Sequence, residues 1–200
     1  MALSSAQKAT LKAAIAANTT VAGGSSAYAS TPINQIPNNS DGNQAIADWY
    51  NGSPTPDFFV WNSQATIASV YDNVTWANLT PTDAPDGTQT WANRSLACQG
   101  KQFNLQTILI GAQGIVNATK SSIRAGLQDA LSNVPSGVGG ATVSAGWANV
   151  RDKALARKAM NIEKLFANTA GGNGATAQNS ALPVFDGAIS PSDVDTARNS

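Results

Sequence analysis

The stretch 46-IADWYNGSPTPDFFVWNS-63 decides how the first half of this 200-residue chain folds, because it concentrates five of the thirteen aromatic residues. Its first residues end a helix predicted over 43–50, and the proline-containing turn 51-NGSPTP-56 breaks that helix. The apolar run 58-FFVW-61 then begins a short strand or the start of a helix that reaches Tyr71. The aromatic residues on the two sides of this turn are predicted to pack together as a compact cluster, which we name the aromatic knot: Trp49, Tyr50, Phe58, Phe59 and Trp61.

This aromatic cluster has two interpretations from the residues alone. As core, each buried aromatic side chain contributes about 1.5–3 kcal/mol in a chain with few large apolar residues. As a surface, Trp49, Tyr50 or Trp61 anchors a subunit interface, since aromatic residues dominate such contacts. A third use, in which Trp49 and Trp61 stack on a sugar, defines a glycan-binding alternative.

Apolar spacing outside this stretch predicts a mainly α fold, a small helical bundle. Ser4 or Ser5 caps the first helix, Asp41 the second, Asn117 or Thr119 the fifth, and Ser144 the longest one, which carries an apolar stripe from Trp147 to Phe166. Ser190, Pro191 and Asp193 start a short terminal helix. The predicted helices are 4–17, 43–50, 89–100, 102–116 (with a strand as the alternative), 118–132, 145–168 and the segment after Ser190.

Two charge-poor tracts, 18–43 and 167–184, are rich in Gly, Asn, Ser, Thr and Ala and are predicted to be extended, uncharged arms. The first is either flexible or laid along a neighbouring molecule, with Val21, Tyr28, Ile33 and Ile36 as its apolar anchors. The predicted organisation is therefore an N-terminal helix and arm (1–43), a helical core (44–168) and a C-terminal arm with a short helix (169–200).

Charge is scarce: only 12% of the residues are charged, with twelve basic and twelve acidic groups that cancel. No global field therefore steers the chain to nucleic acid or to a membrane surface, and a weakly self-repelling, neutral surface suits a protein of a large assembly. No apolar run reaches the length of a membrane span. The first twenty residues are predicted to be a helix and not a signal peptide, because Lys8 and Lys12 interrupt the apolar stretch.

The chain offers few groups for catalysis. It has no histidine, one glutamate and one cysteine, which removes histidine-based triads and nearly all zinc sites. Glu163 is predicted to be a solvated helix charge and Cys98 a buried thiol. The glycine-rich segments lack the ending of a phosphate loop, and the Asp-Gly dipeptides lack the other ligands of a calcium loop. We therefore expect no enzyme, no catalytic residue, no cofactor and no metal.

Basic residues gather on the longest predicted helix. Arg151, Lys153, Arg157, Lys158 and Lys164 all lie between 145 and 168. They form either a solvated face or a positive strip that meets an acidic protein surface or passing nucleic acid.

The chain as a whole resembles structural proteins of tailed bacteriophages. The segments that carry the resemblance are 46-IADWYN-51, 58-FFVW-61, 117-NATKSSIRAGLQDAL-131, 156-ARKAMNIEKLFA-167 and 184-VFDGAISPSDVDTA-197. Within that class the layout is most similar to head–tail connector proteins, the neck adaptors, which form rings of usually twelve copies between the portal and the tail. The neutral insertion 18–43 is longer than a minimal adaptor needs, which keeps a capsid-decoration or a tail or baseplate role open.

This resemblance implies a non-enzymatic protein that is made in the host cytoplasm and located in the virion neck. Its implied partners are the portal protein, tail or neck proteins and further copies of itself, with non-specific contact to packaged DNA and none to a membrane. The segment 184–200, with Phe185 and Val194, is implied to be a docking segment. Together with Trp49, Tyr50, Trp61, Arg151, Arg157 and Lys158, these two residues make up the predicted partner interface.

Overall fold

A computed structural model describes residues 3–79, 91–135 and 141–200, with only the backbone for residues 91–95 and 97. The fold is mainly α, as predicted, with about 53% of the chain in helices. The α-helices are α1 (Ser5–Ala17), α2 (Ser40–Asn51), α3 (Ile67–Asp72), α4 (Trp91–Gly111), α5 (Ser121–Leu131), α6 (Trp147–Val150), α7 (Asn161–Phe166) and α8 (Pro191–Asn199). The strands are β1 (Phe59–Trp61), β2 (Ala65–Thr66), β3 (Ile115–Val116), β4 (Val134–Pro135), β5 (Thr142–Val143) and β6 (Ala156–Lys158).

The chain divides into two compact units. Unit 1 comprises Met1–Val60 and Lys158–Ser200, and unit 2 comprises Trp61–Arg157. Both predicted domain boundaries, after residues 43 and 168, fall within unit 1, so the three-part organisation stays a prediction.

The strands form three two-stranded sheets, β1 with β6, β2 with β3 and β4 with β5. In the antiparallel pairs, Ala65 lies opposite Val116 and Val134 opposite Val143.

Unit 1 is built around α1, α2 and α8, which pack on one another, with α7 against α2. Its buried residues come from both ends of the chain: Leu3, Leu11, Ile15, Ile33, Ile36, Ala45, Ile46, Ala47, Tyr50, Ile162, Phe185, Ile189, Val194 and Ala197. Each buried methylene-sized group of this cluster contributes about 0.8 kcal/mol to the stability of unit 1.

Local capping signals set the ends of the terminal helices where the sequence predicts them. Ser4 caps α1, and its side chain accepts a hydrogen bond from the Gln7 backbone N–H. Ser190 caps α8, with Pro191 in its first turn, and the Asp193 carboxylate accepts a hydrogen bond from the Ser190 backbone N–H. These caps satisfy helix N–H groups that have no partner within the helix.

The predicted caps of two internal helices are wrong. Asn39 caps α2, one turn before the predicted start, and Asp41 lies within the first helical turn. Helix α5 begins at Ser121 after Lys120, whose side chain makes no cap. The Asn117 side chain accepts instead from the Thr119 backbone N–H in a local turn before the helix.

Polar contacts attach α8 to the rest of unit 1. The Arg198 guanidinium donates to the Ile36 carbonyl at 2.8 Å and to the Asn43 side-chain oxygen at 3.1 Å. The Asn51 amide donates to the Ile189 carbonyl and accepts from the Ile189 backbone N–H, both at 2.9 Å. Burial lowers the pKa of Arg198. These contacts fix α8 against the segment that leads into α2 and against the end of that helix.

Unit 2 centres on α4 and α5, which pack along one another. The predicted helices 89–100 and 102–116 form one helix that ends at Gly111, and residues 115–116 are strand β3. Cys98 is buried, as predicted. Among the described residues of this unit, the other side chains larger than alanine that are at most 1% exposed are Val70, Leu79, Leu105, Val116, Leu127, Leu131, Val134, Val150 and Leu155.

The predicted long helix over 145–168 is wrong, and Gly146 is the N-cap of α6 in place of the predicted Ser144, although the Ser144 hydroxyl accepts a hydrogen bond from the Trp147 backbone N–H. Helix α6 stops at Val150, a π-helical turn follows over Arg151–Leu155, and the chain then becomes extended as β6. The cause is tertiary: Asn62 donates its backbone N–H to the Leu155 carbonyl at 2.7 Å, in place of a helical donor.

The predicted extended arms are not seen as separate extended segments. In the first, Ile33 and Ile36 are buried within unit 1, and a short 3₁₀ helix forms at Ile33–Gln35. In the second, Ser180 and Ala181 are fully buried, and the Ala181 backbone N–H donates to the Phe59 carbonyl. A low-charge composition is therefore compatible here with segments that fold back on their own chain.

Candidate interaction surface

The predicted aromatic knot divides into separate packing groups. Tyr50 is buried in the core of unit 1, and its ring meets that of Trp49 edge-on at 4.8 Å. Phe58 packs against a small cluster around Val60. Trp61 lies in unit 2, buried, with the Arg124 guanidinium 4.5 Å from its ring centre. The core interpretation fits Tyr50 and Trp61, and Trp49 alone of these three keeps an intermediate exposure.

The basic residues do not form a strip along one helix, because that helix is absent. The Arg151 guanidinium donates two hydrogen bonds to the carboxylate of its neighbour Asp152, at 2.5 and 2.9 Å, and this hydrogen bonding raises the pKa of Arg151. Lys158 forms an ion pair with Asp57 at 2.7 Å, and Lys164 lies 5.7 Å from the Phe58 ring centre. Arg157 is half-buried at the end of unit 2.

The C-terminal interface residues are part of the core. Phe185 and Val194 are almost completely buried, and the Phe185 ring packs against Phe166 at 5.8 Å. A partner could reach these two side chains only after α8 and the segment before it had left unit 1.

Glu163 is not the solvated charge that was predicted, because it is only 1% exposed. Its carboxylate accepts from the Met160 backbone N–H at 2.9 Å and from the Gly187 backbone N–H at 3.0 Å. It thereby starts α7 and ties the segment before α8 to it, which is a structural role.

The segments that carry the phage resemblance contact one another. In unit 2, Trp61 of the second segment lies under Arg124 of the third. In unit 1, Glu163 and Phe166 of the fourth segment contact Gly187 and Phe185 of the last. These segments therefore contribute packing residues.

An exposed apolar face on α4 is the surface that the sequence analysis missed. Leu96, Phe103 and Ile110 recur every seven residues and are 71%, 68% and 78% exposed. Leu96 lies nine residues, about two and a half turns, from the buried Leu105, so the two project from opposite sides of the helix. We name the exposed residues Leu96, Gln99, Gly100, Phe103, Asn104, Gln106, Thr107, Ile110 and Gly111 the α4 face.

The composition of the α4 face is that of a contact surface. It contains no charged residue. With roughly 150–200 Å² per large side chain, its three apolar residues expose about 400 Å², within the range of apolar patches that mark interaction sites. A Cβ added at Gly100 or Gly111 would meet nothing within 4 Å, so no packing among the described residues requires these helix-weakening glycines.

A groove of about 430 Å³ continues the α4 face at its C-terminal end. Thr107 and Gly111 belong to both, and Ile115 and Ile123 add apolar surface. Lys120 lies at this groove and is exposed. The groove could receive a large side chain from another molecule.

A second exposed apolar group lies elsewhere in unit 2. The rings of Tyr71 and Trp76 stack at 4.2 Å, and the Trp76 indole donates to the Tyr71 carbonyl at 3.0 Å. The two residues are 51% and 37% exposed. We name them the Tyr71–Trp76 pair.

In unit 1, Trp49 lines two open clefts of about 400 and 300 Å³. Ser53 and Asn161 line both, and Asp48 lines the larger one. An aromatic ring beside hydroxyl, amide and carboxylate groups is able to bind a polar ligand with an apolar face.

Within the described residues, no group of three or more His, Cys, Asp or Glu side chains is placed to hold a metal ion. None of the helices in that part of the chain combines the length and the apolar character of a membrane span. Comparison with protein-family models, curated proteins and solved structures found no match for this chain.

Proposed function

We propose that this chain is a non-enzymatic assembly protein of a tailed-bacteriophage virion, a head–tail connector that forms a ring between the portal and the tail. The α4 face is the observation that carries the proposal. A neutral apolar strip along a helix of 21 residues, about 31 Å long, is costly to leave in water and suits burial against another protein subunit.

The arrangement of the resemblance segments supports the same class. Residues of these segments pack on one another in each unit, so the proposed resemblance concerns residues that build the fold. A role in assembly needs a stable shape and contact surfaces, and it needs no catalytic constellation.

The docking role of residues 184–200 is a narrower part of this proposal. Because Phe185 and Val194 are buried in unit 1, docking through them requires that α8 leaves its own unit 1 and binds to the portal instead. Docking through the exposed side of α8 requires no such exchange. Contact of Arg157 and Lys158 with packaged DNA is a further part of the proposal. For Lys158, DNA phosphate would compete with the carboxylate of Asp57, with which it forms an ion pair.

Immunogold electron microscopy of intact virions, with an antibody against this chain, tests the proposed function. Label confined to the head–tail junction, with a copy number equal to that of the portal protein, supports the connector. Label over the capsid indicates a decoration protein, and label along the tail or at the baseplate indicates a tail component. Virions that lack the chain would refute the whole virion assignment.

A glycan-binding module is the second candidate, and the position of Trp49 in the lining of two polar clefts is the observation that favours it. It predicts saturable binding to a member of a glycan panel, abolished by Trp49→Ala. The matched control is Trp76→Ala, which removes an exposed indole from unit 2 and leaves both clefts intact. Trp61 is buried beneath Arg124 and does not take part.

A further inference from the structure

The two clefts of unit 1 share three residues and differ in charge. Trp49, Ser53 and Asn161 line both of them. The larger, of about 400 Å³, adds the carboxylate of Asp48, and the smaller, of about 300 Å³, adds the ammonium of Lys164. We name them the Asp48 cleft and the Lys164 cleft. Because three residues belong to both, the clefts adjoin, and one ligand can occupy both; each has the volume of a small-molecule site.

The shared residues are fixed by contacts within unit 1. The Asn161 side-chain amide donates to the Trp49 carbonyl at 2.9 Å, and the Asn161 backbone N–H donates to the Gly52 carbonyl at 2.8 Å. The Trp49 ring also meets the buried ring of Tyr50 edge-on. The end of α2 is thereby attached to the first residue of α7. This part of the site is formed before a ligand arrives, which lowers the entropic cost of binding.

The shared residues also carry polar groups that are free to bind a ligand. Within the described residues, the Trp49 indole N–H, the Ser53 hydroxyl and the Asn161 side-chain oxygen have no hydrogen-bond partner. Hydroxyl groups continue this lining on both sides, with Ser25 and Ser26 in the Asp48 cleft and Thr20 and Thr55 in the Lys164 cleft. A half-exposed indole ring surrounded by hydroxyl and amide groups matches a sugar, which has an apolar ring face and a hydroxyl edge.

Each cleft has a single charged residue in its described lining, and the two charges are opposite. The Asp48 carboxylate accepts one hydrogen bond, from the Gln44 side chain at 2.7 Å, and its other oxygen has no donor among the described residues. The Lys164 ammonium forms no ion pair in that part of the chain and lies 5.7 Å from the Phe58 ring centre. A nucleic-acid strand, negative throughout, would be repelled by Asp48, whereas a ligand with one group of each sign satisfies both residues.

We infer that the two clefts bind one charged saccharide, with an amine-bearing sugar in the Asp48 cleft and an acid-bearing sugar in the Lys164 cleft. This rests on the second candidate function, glycan binding, since it names the ligand class of that site. Trp49 provides the surface on which a sugar ring stacks, and Ser53 and Asn161 bind hydroxyl groups near the link between the rings. The opposite charges set the direction of the saccharide and select it more than they add affinity.

Isothermal titration calorimetry of the full chain with three related disaccharides tests the inference. The first joins glucosamine to glucuronic acid, the second has an N-acetyl group in place of the amine, and the third has glucose in place of glucuronic acid. The wild type is expected to bind the first about threefold to tenfold more tightly than either of the others, because each of these lacks one charged contact. Added salt should reduce the preference, since both charged residues are exposed.

Two variants assign the charges to their clefts. Asp48→Asn is expected to bind the first and second disaccharides equally and still to discriminate against the third. Lys164→Met is expected to bind the first and third equally and still to discriminate against the second. Asp41→Asn, which changes an exposed carboxylate in the first turn of α2, and Lys153→Met, which changes an exposed lysine of unit 2, are the matched controls and should keep both preferences.

The outcomes separate this inference from the functions proposed above. Equal binding of the three disaccharides by the wild type, or preferences that survive in Asp48→Asn and Lys164→Met, would overturn the inference; if Trp49→Ala abolished such binding, the glycan candidate would stand without the charge selection. No binding of any of the three at millimolar concentration would also overturn it, and the wider glycan panel would then decide the glycan candidate. Circular dichroism checks the fold of each variant. The virion experiment is independent of all these results.

Discussion

The burial of Val194 predicts that α8 stabilises unit 1 from within. Val194 is fully buried, whereas Val184, ten residues earlier, is 60% exposed. Replacing Val194 by Ala removes two methyl groups, worth about 1.6 kcal/mol of transfer free energy. The cavity left between α1, α2 and α8 adds to this, so we expect a loss of about 2–3 kcal/mol in the free energy of unfolding of unit 1.

Hydrogen exchange measured by mass spectrometry resolves this effect by segment. A loss of 2–3 kcal/mol makes globally exchanging amides in α1 and α2 exchange roughly 30- to 150-fold faster. The amides of α4 and α5 in unit 2 provide an internal control, and Val184→Ala is the matched variant, with an expected change below about 0.5 kcal/mol. Unchanged protection in α1 and α2 after Val194→Ala, or equal effects of the two variants, would refute the placement of α8 in the core.

Three further predictions follow from buried or crowded groups. Burial raises the pKa of Tyr50 to about 12, so above pH 10 the folded chain keeps a proton that the unfolded chain loses. The free energy of unfolding of the wild type should therefore fall, relative to Tyr50→Phe, by up to about 1.4 kcal/mol per pH unit between pH 10 and 12. Urea unfolding of both proteins across this pH range measures the difference. Glu163→Gln should cost about 1–3 kcal/mol in the same assay, since its carboxylate accepts from two backbone N–H groups and the amide would turn a donor towards one of them. Gly174→Ala should lower the free energy of unfolding by about 2–4 kcal/mol, because a Cβ there would lie 2.2 Å from the Phe58 ring. Gly24 has the same φ of 72° but lies in open space, so Gly24→Ala should cost only the backbone strain. Thermal melts of the two variants measure the difference.

Elements specified by neighbouring residues were predictable from the sequence. The start of α8 follows from Ser190, Pro191 and Asp193, which act within one helical turn, and α1 follows from Ser4 and the spacing of Leu11 and Ile15. Strand β1 was one of two alternatives for 58-FFVW-61. A mainly α fold follows from such local signals, because helix periodicity and capping are properties of short segments.

The failure of the predicted long helix has a specific cause. The apolar periodicity over 145–168 is real, but Leu155 is buried in unit 2 and Ile162 in unit 1. A periodic pattern cannot show that its residues serve two cores, and the hydrogen bonds from Asn62 that end the helical geometry come from a residue more than ninety positions away. The solvated role predicted for Glu163 failed for the same reason, since the Gly187 N–H that it binds is distant in sequence.

The α4 face was visible in the sequence only as a spacing. Leu96, Phe103 and Ile110 recur every seven residues, and so would the residues of a buried stripe. Helix α4 also carries Leu105 and Leu109, and the packing of α5 decides that this second set is buried and the first exposed. Which of two apolar faces meets solvent is decided by a neighbouring element.

The sequence by itself determined the helical class, the capped ends of α1 and α8, the scarcity of charge and the lack of histidine chemistry, because composition and short-range capping do not depend on the rest of the chain. Only the tertiary structure decided that the neutral tracts fold back on their own unit, that Glu163 and Val194 are buried, and that the α4 face is open to a partner. Whether a residue is buried depends on segments that are distant in sequence. An exposed apolar contact surface can therefore be recognised only once it is known which apolar residues lie in the core.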